Sequence, residues 1–204
     1  VLEFRARAAE FPGVSVTESA RRRYLLGAGA GHLLGYIGRP SRDDLTRLPS
    51  TRPTELIGKD GLELTYDQAL HGRAGEKLIE VNATGEELRE RFVLRASAGQ
   101  DLRLEVDAGL QRFAAATLRR HIRALGKRAG ALVAIDPRDG AIRALVSYPD
   151  YDPDLLGGGA QERDVRRLLE DPAKPFFNRA VSGGYPSAST IKPLLAVAAL
   201  EEGV

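Results

Sequence analysis

The stretch Tyr185-Pro186-Ser187-Ala188-Ser189-Thr190-Ile191-Lys192-Pro193 places a serine and a lysine three residues apart, between a proline turn and an apolar run. Apolar residues recur at 191, 194, 195, 197, 198 and 200, a pattern that predicts a largely buried helix starting near Ser189. On a helix, residues i and i+3 share a face, so Ser189 and Lys192 stand side by side. A serine hydroxyl becomes a nucleophile when a base takes its proton. A lysine can be that base when burial lowers its pKa. Beside Ile191, Leu194 and Leu195, Lys192 is expected to be buried in this way. The chemistry that fits is acyl transfer through a serine–lysine pair. A serine cap followed one turn later by a lysine is also ordinary helix chemistry, and the tetrapeptide alone leaves both readings open.

Other candidate chemistries find little support. The chain has 204 residues and no cysteine, which excludes disulfides and thiol catalysis. His32, His71 and His121 are scattered without metal-ligand spacing and read as structural; no metal or cofactor is expected. Gly157-Gly158-Gly159 lacks the following Gly-Lys-Ser/Thr of a phosphate loop and reads as a flexible joint. The net charge is +2, and Arg21-Arg22-Arg23 is too small a basic patch for a nucleic-acid footprint, so no nucleic-acid partner is expected. The longest apolar run, Leu194 to Leu200, falls short of the roughly 18 residues a membrane span needs.

The elements that must position Ser189 follow from pattern. Phe11 to Ser19 alternates as a half-buried strand does. Ser41 to Leu48 opens with a capping serine and acids in its first turn, and reads as a short helix. Gly61 to Gly72 carries Leu62, Tyr66, Ala69 and Leu70 at helical spacing. Lys77 to Leu94 reads as a hairpin about Ala83-Thr84-Gly85. After the small-residue linker Ala96 to Asp101 the rhythm changes, which sets a boundary near residue 101. Leu102 to Val106 alternates as a strand. A long amphipathic helix follows, with a stripe of Leu110, Phe113, Ala114, Thr117, Leu118, His121, Ile122 and Leu125. Gly130 to Pro149 reads as two strands joined at Pro137 to Gly140. Residues 150 to 184 read as loop around one charged helical segment, Gln161 to Glu170. The class is α+β, with domains over 1–101 and 102–204.

The blocks Ala131 to Pro153 and Asn178 to Gly203 together resemble the start of the transpeptidase domain of class B penicillin-binding proteins. Their Ser-x-x-Lys motif opens a helix in the same way. Upstream, "FPGVSV", "GHLLGYIG", "IGKDGLELTYDQALHGRAG" and "EVNATG" resemble the non-catalytic pedestal, or dimerisation-like, domain of the elongation type. "DLRLEVDAGLQ" is similar to the segment that enters the catalytic domain. The likeness covers nearly the whole chain, in order.

The resemblance implies an antiparallel sheet with flanking helices behind a pedestal. It implies Ser189 as the acylated nucleophile and Lys192 as its general base. It implies peptidoglycan stem peptides as substrates, β-lactams as inhibitors, and a membrane glycan polymerase and a rod-shape scaffold protein as pedestal partners. It places the protein on the periplasmic side of a bacterial inner membrane. Ser187-Ala188 stand where the family commonly has Pro-Gly, and Asp154 where asparagine is usual. The family's Ser-x-Asn and Lys-Thr/Ser-Gly motifs and its membrane anchor are not in these residues. The chain is therefore expected to be an internal piece with weak or no acylation of its own, whose open sheet edges and exposed apolar face leave residues 150–204 disordered or in contact with neighbours. Two rival readings remain: an interaction module, and a serine–lysine hydrolase of the β-lactamase or sensor type.

Overall fold

The computed structural model describes residues 21–49, 51–84, 87–157 and 161–203. The expected strand over Phe11 to Ser19, and Gly158 and Gly159 of the expected joint, lie outside these residues. What is described is α+β, with antiparallel strand pairs and flanking helices.

The first part is built from short pieces. A 3-10 turn, Gly27–Ala30, runs into α1 (Gly31–Leu34), so the apolar stretch around Leu33 turns helical before it extends. Strand β1 (Ile37–Gly38) pairs antiparallel with β2 (Ile57–Gly58). Between them lies α2 (Arg42–Arg47). Its start is a full capping box: the Asp44 N–H donates to the Ser41 hydroxyl, and the Asp44 carboxylate accepts from the Ser41 N–H. The helix expected over Gly61 to Gly72 is instead two helices, α3 (Gly61–Thr65) and α4 (Asp67–Leu70), broken at Tyr66. Glu63, buried within α3, pairs with Arg22 at 2.8 Å. Tyr66, expected on the apolar stripe, is exposed at the break.

The expected hairpin is present as β3 (Glu76–Val81) and β4 (Glu87–Leu94), paired antiparallel. An Asx turn shapes its tip: the Thr84 N–H donates to Asn82 Oδ1 at 3.0 Å. The β3 strand lies exposed along its whole length.

Leu102 to Val106 alternates in burial but pairs with no strand among the described residues. It is tied down instead by Arg143, which donates to the Glu105 carbonyl at 3.2 Å, and by the Asp107 N–H, which donates to the Arg143 carbonyl at 2.9 Å. Asp107 caps the long helix α5 (Ala108–Ala124), its carboxylate accepting from the Leu110 N–H. The expected second hairpin follows as β5 (Gly130–Ile135) and β6 (Ile142–Tyr148), and the expected charged helical segment as α6 (Glu162–Glu170). Ala114 and Ala115 of α5 pack on Ala144 and Val146 of β6, with Leu118, Leu132 and Ala134 around them. The stripe predicted for α5 merged two faces. Ala114 and Leu118 face the sheet, whereas Phe113 and Leu125 are 67% and 68% exposed.

The buried face of α5 also carries Gln111, fully enclosed. Its amide pairs with the backbone of β6 as a neighbouring strand would. The Leu145 N–H donates to Gln111 Oε1 at 2.8 Å, and Gln111 Nε2 donates to the Leu145 carbonyl at 2.7 Å. The same Nε2 donates to the Gly29 carbonyl at 2.7 Å. One side chain thereby satisfies a sheet edge and fastens the first part of the chain to the second.

Candidate active site

Ser189 lies in a 3-10 turn, Ala188–Ile191, and Lys192 is the first residue of α8 (Lys192–Glu201). The helix expected from Ser189 thus begins three residues later. Pro193 in the first turn of α8 suits that start, because a proline there forfeits no helical hydrogen bond. The Lys192 N–H donates to the Ser189 carbonyl. In a 3-10 turn residues i and i+3 eclipse one another more closely than in an α-helix. The turn therefore puts Ser189 and Lys192 on one face. Among the described residues no hydrogen bond joins their side chains.

The expected burial is not found. Leu194, Leu195 and Leu200 are 68%, 58% and 78% exposed, and Ser189 and Lys192 are exposed with them. The apolar pattern of α8 is real, but nothing among the described residues packs on it or buries Lys192.

The turn holds one strained residue. Ala188, immediately before Ser189, has φ +48°, in the left-handed region where a Cβ is unfavourable. The Thr190 hydroxyl donates to the Ser187 carbonyl and closes the turn from the other side.

The residues leading to this turn are tightly organised. The buried Arg179 guanidinium donates to the carbonyls of Ala173, Lys174 and Phe177 at 2.6, 3.1 and 3.1 Å. Its backbone N–H donates to the Ser147 hydroxyl of β6 at 3.0 Å. Arg179 begins α7 (Arg179–Ser182), which packs on β5 and β6.

Asp154, where the resemblance expects asparagine, accepts from the Tyr24 N–H at 3.0 Å, a role an asparagine carbonyl would fill equally. Tyr151, deeply buried, stacks edge-on against His32 and Tyr36. Its hydroxyl lies 2.9 Å from Asp60 Oδ2 and 3.0 Å from the Gly31 carbonyl and donates between them. Burial, then the Asp60 charge, pushes the Tyr151 hydroxyl upward, so it stays a donor.

His32 is buried as the structural reading expects, and burial holds its imidazole below the ordinary value. The Pro175 carbonyl opposes that shift, and among the described residues the Nε2 atom has no hydrogen-bond partner. His71 lies 3.6 Å from Asp67, and His121 Nδ1 lies 2.9 Å from the Thr117 carbonyl. No group of three or more potential metal ligands occurs among the described residues.

Sequence reasoning missed Gln111, Arg179 and the Tyr151–His32 joint. Gln111 alone left a signal, as a polar residue three positions before Ala114 on the buried stripe. The other two are set by partners far away in the chain.

These features define a two-part α+β protein whose second part presents a Ser-x-x-Lys turn at the head of a helix. The dimerisation domain of penicillin-binding proteins matches residues 1–104, and the penicillin-binding protein transpeptidase domain matches residues 130–204. The chain belongs to the penicillin-binding proteins. It is 40% identical over 210 residues to the peptidoglycan D,D-transpeptidase MrdA of Escherichia coli K12, covering 100% of this chain and 32% of that protein. It is 39% identical over 197 residues to MrdA of Acinetobacter baumannii, covering 96% of this chain and 28% of that one.

Among solved structures it is similar to a Helicobacter pylori penicillin-binding protein, PBP2, in complex with MreC. There the TM-score is 0.77 at 29% identity, over 98% of this chain and 36% of that one. It is also similar to a chain in a peptidoglycan synthase complex that coordinates polymerization and crosslinking. That match has a TM-score of 0.79 at 32% identity, over 99% of this chain and 36% of that one. The chain spans about a third of the length of the curated relatives it matches.

Proposed function

We propose that the protein carrying these residues is a peptidoglycan D,D-transpeptidase of cell-wall elongation, and that Ser189 is its nucleophile. The observation that carries this reading is the 3-10 turn that eclipses Ser189 and Lys192, joined by the Lys192 N–H to the Ser189 carbonyl. The MrdA relatives and the two-domain match support it.

In the reaction, Ser189 Oγ attacks the carbonyl carbon of the terminal D-Ala-D-Ala bond of a stem peptide. Its proton passes to Lys192 Nζ, acting as general base. The C–N bond breaks, D-alanine leaves with that proton, and the acyl group stays on Ser189. An amine from a neighbouring strand then takes the acyl group and frees the serine. A β-lactam acylates the same oxygen through its ring amide. For Lys192 to act as a base it must be neutral, which requires burial; Leu194 and Leu195 beside it offer the apolar surface on which that burial would close.

The domain boundary falls near residue 101, with residues 1–101 as pedestal and 102–204 as the start of the transpeptidase domain. Through the pedestal the protein binds a membrane glycan polymerase and a rod-shape scaffold protein, on the periplasmic side of the inner membrane. The peptidoglycan synthase complex and the MreC complex among the structural neighbours support partners of these kinds.

The test is D-alanine release and crosslink formation from pentapeptide-bearing glycan by the gene product that contains these residues. Both activities are expected in the wild type and absent in Ser189→Ala. Equal activity in the two proteins would refute the assignment.

A further inference from the structure

Asn178 sits where the two parts of the chain meet. Its side chain is shared between them. Oδ1 accepts from the Ala180 N–H at 3.1 Å and caps α7. Nδ2 donates to the His32 carbonyl, 146 residues away in sequence, at 3.3 Å. One partner is an N–H and the other a carbonyl, so the amide can satisfy both in one orientation only. His32 cannot yield easily. Its ring packs at 5.1 Å against Tyr151, whose hydroxyl reaches back to Gly31 and Asp60. A methyl group on Gly31 would lie 2.3 Å from the Tyr151 carbonyl, so the two parts meet without slack here.

Downstream of Asn178 the route to the nucleophile is short. Helix α7 ends at Ser182, and residues 183–188 lead directly to Ser189. Residues 184–191 are exposed along that route. The placement of α7 therefore sets where the Ser189 turn begins, and Asn178 ties the start of α7 to the first part of the chain by a hydrogen bond, beside the looser ring contact of Phe176 with Tyr36 at 6.3 Å.

We infer that Asn178 is a positioning residue for acylation: through its His32 bond it holds the Ser189 turn in register with the first part of the chain. It acts through α7 and touches no reacting atom. This rests on the reading of Ser189 as the nucleophile. Misplacing a reacting group by about an ångström can cost up to roughly a hundredfold in rate. The loss of one peripheral hydrogen bond, with the Arg179 and Ser147 contacts retained, is expected to cost about tenfold.

The experiment uses Asn178→Asp and Asn178→Ser in the gene product that contains these residues. Both keep an oxygen that can cap α7 and both lose the amide Nδ2 donor that reaches the His32 carbonyl. The readout is acylation by a fluorescent penicillin, with the rate constant at saturation, the half-saturating concentration and the labelled fraction measured separately. The expected result is a saturating rate about tenfold lower in both variants, with the half-saturating concentration and the labelled fraction unchanged. Two results would overturn the inference. One is a wild-type rate in either variant. The other is a reduced labelled fraction with an unchanged rate, the signature of a structural role alone. Ser189→Ala runs alongside. Labelling that persists there overturns the nucleophile reading itself, which is a separate failure.

Discussion

Replacing Gln111 by methionine removes the amide that pairs with β6 while keeping the length and the apolar stem of the side chain. Three backbone groups lose a partner: the Leu145 N–H, the Leu145 carbonyl and the Gly29 carbonyl. All three face a site from which Gln111 is fully shielded from water. A buried group left without a partner costs about 1–3 kcal/mol, and carbonyls sit at the low end of that range. Methionine recovers some of this through packing, so the net cost is set at about 3 kcal/mol. For a chain of 204 residues unfolding as one unit, each kcal/mol moves the midpoint by about 2–4 °C, which gives a fall of roughly 6–12 °C. The assay is thermal unfolding followed by circular dichroism, with a urea titration to obtain the free energy. Gln111→Glu is the companion variant. It keeps an acceptor for the Leu145 N–H but loses both donor bonds and buries a charge, and is expected to be at least as damaging at neutral pH. A Gln111→Met midpoint within about 2 °C of wild type would refute the reasoning.

Ala188→Gly relieves the left-handed strain before Ser189 and is expected to stabilise the turn by up to about 1 kcal/mol, whereas Ala188→Val costs more than about 1 kcal/mol; urea unfolding measures both. Gly31→Ala drives a methyl group against the Tyr151 carbonyl and is expected to cost about 2–3 kcal/mol in the same measurement. His32 supplies a pH dependence. Burial lowers its folded-state pKa, with Arg179 adding to that, while Pro175, Asp60 and Asp150 oppose it. The unfolded state therefore takes up the proton first. Stability is fully present above the ordinary value of about 6.5 and is lost as pH falls from there toward the folded-state pKa. Melting temperatures between pH 7.5 and 5 are expected to fall in wild type and to fall less in His32→Phe. The 204-residue chain alone is expected to acylate slowly or not at all, since nothing among its described residues buries Lys192; rapid stoichiometric labelling of Ser189 by a fluorescent penicillin would contradict that.

What the sequence revealed was local. The cap at Ser41, the two hairpins, the long helix after Asp107 and the Ser-x-x-Lys turn all follow from signals within a few residues of one another. What it hid was partnership. Leu102 to Val106 has a strand's alternation, but a strand needs a neighbour to bond to, and here the Arg143 guanidinium takes the Glu105 carbonyl instead. The apolar pattern of α8 predicts burial, yet burial is a property of what packs on a helix, and nothing among the described residues packs on this one. The stripe of α5 blended a sheet-facing row with an exposed row because alanines carry little hydrophobic weight, although Ala114 and Ala115 are the residues of α5 buried in the core cluster. The Tyr151–His32–Asn178 joint spans more than 100 residues and leaves no periodic trace. The Ser189 turn was legible as chemistry for the opposite reason, since its two functional groups are three residues apart.

The most direct test of the account is the site of β-lactam attachment. The gene product that contains these residues is treated with benzylpenicillin, weighed intact by mass spectrometry, and digested to locate the adduct. The account predicts one penicilloyl group per molecule, carried on the peptide that includes Ser189 and lost in Ser189→Ala. An adduct on another residue, or one that survives Ser189→Ala, would contradict it.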